Sequence, residues 1–110
     1  MVGQDAFIAV YMMSNKPLGT LYVGVTSRLL TRVWEHRDGA IQGFTQKYDL
    51  KRLVWYEAHE RMDSAIAREK EIKRYRRDWK LNLIAASNPH WNDLYPALMK
   101  AEGYKMPPPM

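Results

Sequence analysis

Phe7-Ile8-Ala9-Val10-Tyr11-Met12-Met13, then Ser14-Asn15-Lys16-Pro17-Leu18-Gly19, then Thr20-Leu21-Tyr22-Val23-Gly24-Val25: this stretch decides the fold. Two apolar, partly β-branched runs flank a dense cluster of turn formers, which is the pattern of a β-hairpin with a loop of several residues. A register centred on that loop puts Tyr11 near Tyr22 with both phenols on one face. Thr26 and Ser27 can each cap a following helix, in which Leu29, Leu30, Val33 and Trp34 recur at helical spacing. Arg32 and His36 fall one turn apart along the edge of that apolar stripe, where they are expected to line a cleft.

Further along, Gly39 to Tyr48 reads as a loop, and Lys51 to His59, with Leu53-Val54-Trp55-Tyr56 inside it, as a third strand. Met62, Ala65, Ile66 and Ile72 mark one side of a helix running to about Arg77, with Asp63 or Ser64 as its N-cap. Glu69 falls in the middle of that apolar side. An unpaired carboxylate resists burial, so this position calls for a cation, a basic side chain or a water-filled cleft. A short helix over Asp78 to Ser87, a break at Asn88-Pro89 and a further turn or two from Leu94 to Ala101 complete the pattern. Gly103 to Met110, with its three prolines, is expected to be disordered. The expectation is one α/β domain over 6–94, a small central three-stranded, antiparallel-containing sheet flanked by helices, with a C-terminal extension over 95–110.

The 17 Lys and Arg against 12 Asp and Glu give a net charge of +5, which favours polyanionic partners. The chain has no cysteine, so disulfides, thiolate metal sites and cysteine nucleophiles are excluded. No apolar run approaches the roughly 20 residues of a bilayer span, and Met1 to Asp5 do not read as a secretion signal, so a soluble cytoplasmic protein is expected. An acidic-lipid adaptor has no membrane-surface amphipathic helix to support it.

Taken in order, Ala9-Val10-Tyr11, Tyr22-Val23-Gly24, Arg32, His36 and Glu69 resemble the GIY-YIG nucleases over roughly Phe7 to Leu94. The likeness is to the small stand-alone bacterial branch, which is related to the N-terminal nuclease domain of the excision-repair excinuclease. Gly43-Phe44-Thr45, Leu53 to Glu57 and Asn88 to Leu94 contribute to it. Ala9 stands where the first triplet has glycine, and Val25 where some relatives carry a lysine.

The resemblance implies a metal-dependent endonuclease acting on nucleic acid, DNA in the first place, with structure-directed cutting in repair or recombination. Glu69 would ligate Mg²⁺ or Mn²⁺, whose other positions hold water and phosphate oxygen. Arg32 would stabilise transition-state charge. Tyr11 or Tyr22 would orient or deprotonate the attacking water, which nearby positive charge must assist, and His36 would relay a proton or contact phosphate. Gly24 would let backbone approach the site, and Asn88 or Asn82 would be the family's late asparagine. A non-cutting nucleic-acid-binding module of the same fold is the alternative. Each residue also has a plain reading: strand aromatics for the tyrosines, solvated or edge positions for Arg32 and His36, and an ion pair with Lys73 for Glu69. His59 and His90 lack metal-ligand spacing and read as structural.

Seven cations in Arg68 to Lys80 outnumber three acids there. Such a run is a solvated face or, beside a phosphodiester site, a backbone-binding surface, with Lys73, Arg74, Arg76 and Arg77, and Arg28 elsewhere in the chain, as candidate contacts. Tyr75 and Trp79 are interleaved with it; packing under the helix is the expectation, stacking on unpaired bases the alternative. No additional targeting domain is visible, so target choice is expected to come from the domain's own surface, a partner protein or a homodimer.

Overall fold

The computed structural model describes residues 6–38 and 47–102. Most of the expected loop from Gly39 to Tyr48, including Gly43-Phe44-Thr45, and the tail from Gly103 lie outside the described residues.

Three strands, β1 (Ala9–Ser14), β2 (Leu21–Thr26) and β3 (Arg52–Ala58), form one antiparallel sheet in the order β2-β1-β3. All of β1 is buried, because both faces of the central strand are covered. That is why it reads as an unbroken apolar run rather than an alternation. Ala9, Tyr11 and Met13 point to a face covered by α1 (Leu29–Asp38) and α4 (Tyr95–Ala101). Val10 and Met12 point to the other face, covered by α2 (Met62–Lys73) and α3 (Arg77–Ser87), where Ala65, Ile72 and Ile84 meet them. Each fully buried Leu, Ile, Val or Met contributes about 1.5–3 kcal/mol, so the two layers on either side of β1 supply most of the driving force.

Local chemistry sets the junctions. In the hairpin loop, Asn15 Oδ1 accepts from Thr20 N at 3.1 Å, and Gly19 N donates to Lys16 O at 2.9 Å. Past β2, Thr26 Oγ1 accepts from Arg28 N at 2.9 Å and closes the turn that leads into α1. Phe7 clamps the entry to α1: its N–H donates to Ser27 O and its carbonyl accepts from Leu29 N.

The second half departs from expectation in several places. The helix expected to run to about Arg77 ends at Lys73, and Arg76, in extended conformation (φ −63°, ψ 159°), caps a separate α3. Neither Asp63 nor Ser64 is the N-cap of α2; Arg61 is, while Asp63 pairs with the Arg61 guanidinium at 2.8 Å. Ile66 is exposed, and the buried stripe is Ala65, Glu69 and Ile72. The stretch set apart as an extension supplies buried Tyr95, Leu98 and Met99 to the α1 side of the core.

The pairing of β1 with β3 shifts register between Met12 and Met13, so Met12 faces Trp55 while Met13 faces Leu53 and Val54 has no opposite number. A bulge of this kind leaves a residue outside the ladder, and its buried polar groups need other partners. The segment after α3 provides them: Asn88 Nδ2 donates to Val54 O at 3.1 Å, Leu94 N to Leu53 O at 2.8 Å, and Leu53 N to Asp93 Oδ1 at 3.2 Å. Among the described residues, no helix is long and apolar enough to cross a membrane.

Candidate active site

Tyr11 on β1 lies opposite Gly24 of β2, and Tyr22 lies opposite Met13, so the two tyrosines are diagonal neighbours on one face. Their ring centroids are 6.2 Å apart. His36 rises from α1 into the same cluster, its ring 5.6 Å from Tyr11 and 5.3 Å from Tyr22. A hydrogen bond of 2.9 Å joins the Tyr11 hydroxyl to His36 Nε2.

Gly24 makes this arrangement possible. A Cβ there would lie 2.6 Å from Cζ and from the hydroxyl of Tyr11, and 2.8 Å from Cε2 of Tyr22. The glycine is the floor on which both rings lie.

Burial sets the electrostatics. Tyr11 is 2% exposed, and desolvation pushes its phenol far above the ordinary value; Tyr22 adds to the rise and the charge of Arg32 opposes it. His36 is 4% exposed, and desolvation, assisted by the Arg32 guanidinium, lowers its pKa to about 4. Near neutrality the pair is therefore a neutral phenol and a neutral imidazole. His36 Nδ1 is buried without a hydrogen-bond partner among the described residues. When Nε2 accepts the Tyr11 proton, the ring's own proton sits on that unpartnered Nδ1, a cost of about 1–3 kcal/mol held at this site.

Arg32 stands one turn before His36 with its side chain 45% exposed and 3.7 Å from Glu35. The expectation that Arg32 and His36 line a cleft alike is corrected: His36 is deep, and Arg32 reaches the surface. Tyr22 is half-buried, so with Arg32 it forms the solvent-facing side of the cluster.

Glu69 comes from the other layer. Helix α2 packs chiefly over β2, and Ala65 and Ile72 beside Glu69 join the Val10–Met12 cluster. The buried Glu69 carboxylate holds Lys73 Nζ at 2.6 Å through Oε2. No group of three or more His, Cys, Asp and Glu among the described residues could hold a metal ion. The donor set therefore does not fit an all-protein cage. It fits a hard cation held by one carboxylate, with water and phosphate supplying the rest.

The remaining candidates separate. Asn88 is buried, and its side chain serves backbone: Nδ2 donates to Val54 O and, at 2.8 Å, to Asn92 O, while Oδ1 accepts from Asn92 N. Arg77 donates from Nη2 to both Leu18 O and Gly19 O at 2.8 Å, so it clasps the hairpin loop. Nothing in the sequence signals that contact across 58 residues. Arg28 and Arg74 are exposed, Lys73 is committed to Glu69, and Arg76 pairs with Asp78 at 3.5 Å. His59 bridges Glu57 and Ser64, a structural position as expected. Tyr75 packs against the core as expected, but Trp79 does not: its side chain is 50% exposed.

The chain matches the model of the GIY-YIG catalytic domain over residues 7–82. The UPF0213 proteins of Staphylococcus aureus strains Mu50, N315 and MW2 are each 38% identical over 66 residues, covering 60% of this chain and 80% of theirs. No solved structure is a significant match.

Proposed function

Because the chain belongs to the GIY-YIG family, whose domain is a nuclease fold, we propose that it is a divalent-metal-dependent endonuclease hydrolysing phosphodiester bonds, with DNA as its substrate. The observation that carries this reading is the buried Tyr11–His36 hydrogen bond of 2.9 Å with Tyr22 against it and Arg32 at its mouth. A tyrosine packed only for its ring needs no buried histidine on its hydroxyl; a proton path does.

In this reading the attacking water meets the Tyr22 hydroxyl, the solvent-facing phenol of the pair. As its proton passes to Tyr22, that of Tyr22 passes to Tyr11 and that of Tyr11 to His36 Nε2, so no free phenolate forms; the water oxygen bonds to phosphorus as the scissile P–O bond breaks, and the departing alkoxide takes a proton from solvent. Protonating an imidazole of pKa about 4 costs about 4 kcal/mol at pH 7. The anionic phosphate of a bound substrate offsets that cost by favouring the imidazolium. Arg32, exposed and permanently charged, binds the phosphoryl oxygens as negative charge builds. Glu69 is the residue that would hold Mg²⁺ or Mn²⁺. When bound, such a cation supplies Lewis-acid stabilisation of phosphoryl charge and an easier deprotonation of water. Structure-directed cutting in repair or recombination, in the cytoplasm, with a second copy or a targeting partner selecting the site, is the setting this proposal adopts.

The alternative, a binding module that does not cut, is favoured by one observation: Lys73 already neutralises Glu69 at 2.6 Å. Cleavage of single-stranded, duplex, flap and branched DNA and RNA with Mg²⁺, Mn²⁺ or EDTA separates the two. Metal-dependent products that vanish in Glu69→Ala, and fall about 10²–10³-fold in turnover in Arg32→Ala with little change in affinity, support the enzyme. Salt-sensitive binding without products from any variant refutes it.

A further inference from the structure

Among the described residues Trp79 is the largest apolar side chain left half outside, and it stands in a strongly basic stretch. The stretch Lys73-Arg74-Tyr75-Arg76-Arg77-Asp78-Trp79-Lys80 carries five cations and one acid. The break between α2 and α3 at Arg76 turns this stretch into a corner. On its outer side Tyr75, Trp79, Asn82, Leu83 and Ala86 line an open groove of about 400 Å³. The Tyr75 and Trp79 rings meet edge to face, centroids 5.2 Å apart, so Tyr75 braces the indole from beneath. Arg76 lies over the indole with its guanidinium carbon 5.5 Å from the ring centroid. Asn82, exposed on the groove wall, has no hydrogen-bond partner for its amide among the described residues.

We infer that this corner is a second nucleic-acid site, one that takes an unpaired base of a single-stranded segment on Trp79 while Arg74, Arg76 and Lys80 contact the flanking phosphates. It rests on the reading of the protein as a nucleic-acid binder, and it adds a preference for unpaired strands. Three features select this occupant. A braced, half-exposed indole is a stacking platform for any base, because every base has a π face. The cations at its rim match a phosphate backbone and repel a basic peptide; residues 103–110, with one lysine and no acid, do not match them. The Asn82 amide offers one donor and one acceptor to a base edge at the far end of the groove. A duplex keeps its bases stacked inside and cannot fill the groove. Lys73, at the start of this stretch, is joined to Glu69 one turn before it by a 2.6 Å ion pair, so the corner begins beside the proposed metal ligand.

The test is a binding titration of the whole protein in EDTA, which forbids cutting, against a short single-stranded oligodeoxynucleotide and the blunt duplex of the same sequence. Trp79 emission in the wild type, taken as the difference from Trp79→Phe, should be quenched by the single strand and not by the duplex. Trp79→Ala should weaken single-strand binding about 5- to 150-fold, the range for one base stack, and leave duplex binding within about twofold; Trp79→Phe should keep most of the affinity. Equal losses for both DNAs, or unchanged single-strand binding in Trp79→Ala, overturn the proposal. A Trp79 signal that follows protein concentration without DNA, with a matching change in sedimentation, assigns the groove to a second copy and overturns it too. Because no cleavage is read, failure here leaves the proposed nuclease site standing, and failure of cleavage leaves this site standing.

Discussion

Gly24→Ala places one methyl group under two tyrosines, and its consequences can be worked from the structure. The new Cβ would lie 2.6 Å from Cζ and the hydroxyl of Tyr11 and 2.8 Å from Cε2 of Tyr22. Carbon atoms in ordinary contact are about 3.5–4.0 Å apart, so each ring must withdraw by roughly 1 Å. Tyr11 is walled in by Ala9, Met13, Leu29 and Val33, so its retreat strains the core, at about 1–3 kcal/mol for overpacking. Its 2.9 Å bond to His36 cannot survive such a shift unaltered, and a stranded buried Nε2 adds about 1–3 kcal/mol. Misplacing a reacting group by roughly 1 Å costs about 10²-fold in rate. Urea unfolding and single-turnover cleavage of a labelled oligonucleotide measure the two effects. Ile84→Val is the control, since it removes a methyl group from α3, which packs against β3 on the opposite face; it should destabilise by about 0.5–1.5 kcal/mol while leaving cleavage within about twofold. Gly24→Ala with stability within about 0.5 kcal/mol of wild type and undiminished cleavage would refute the reasoning that glycine is the floor of the tyrosine pair.

Acid should loosen the protein through His36: its pKa falls to about 4 on folding from about 6.5, so the unfolded chain binds the extra proton between those values. The neutral-ring stability is fully present above about pH 6.5 and declines by about 3 kcal/mol as pH falls to 4, and urea midpoints across that window should show the slope flattened in His36→Gln; an identical slope in the variant removes His36 from the account. Arg77→Ala should cost about 1 kcal/mol of stability by releasing the hairpin loop, yet leave the salt dependence of DNA binding intact. Arg74→Gln with Arg76→Gln should do the reverse, lowering the log-log salt slope by about 0.7–0.9 per lost contact; the opposite pattern would make Arg77 the phosphate contact.

The hairpin and its tyrosines are legible in the sequence because their information is local: turn formers between two apolar runs fix a loop, and the loop fixes a register. The buried His36 is visible there only as a stripe-edge residue, since helical periodicity gives an angle around the axis but not the depth of the neighbouring strands. Arg74 to Arg77 contains no glycine or proline, so the end of α2 leaves no local mark; the Tyr75 ring packed against the core and the Arg77 grip on Leu18 and Gly19 impose it from a distance. Trp79 escapes for a related reason, because a helix break rotates everything after it off the periodicity before it. Glu69 stands out by its place among apolar neighbours, and its burial and its ion pair with the exposed Lys73 follow from that place.

The bulge at Val54 sets a lower limit on how far the chain can be trimmed. Its carbonyl is sealed by Asn88, and the neighbouring ladder groups of Leu53 by Asp93 and Leu94, all beyond the last residue of the matched family region. A fragment ending at residue 82 would carry every proposed site residue except Asn88, but it would present β3 as a raw strand edge, ready to pair with its own copies. The segment from Asn88 to Leu94 thus acts as a stopper against self-association, and a minimal version of this domain has to keep it.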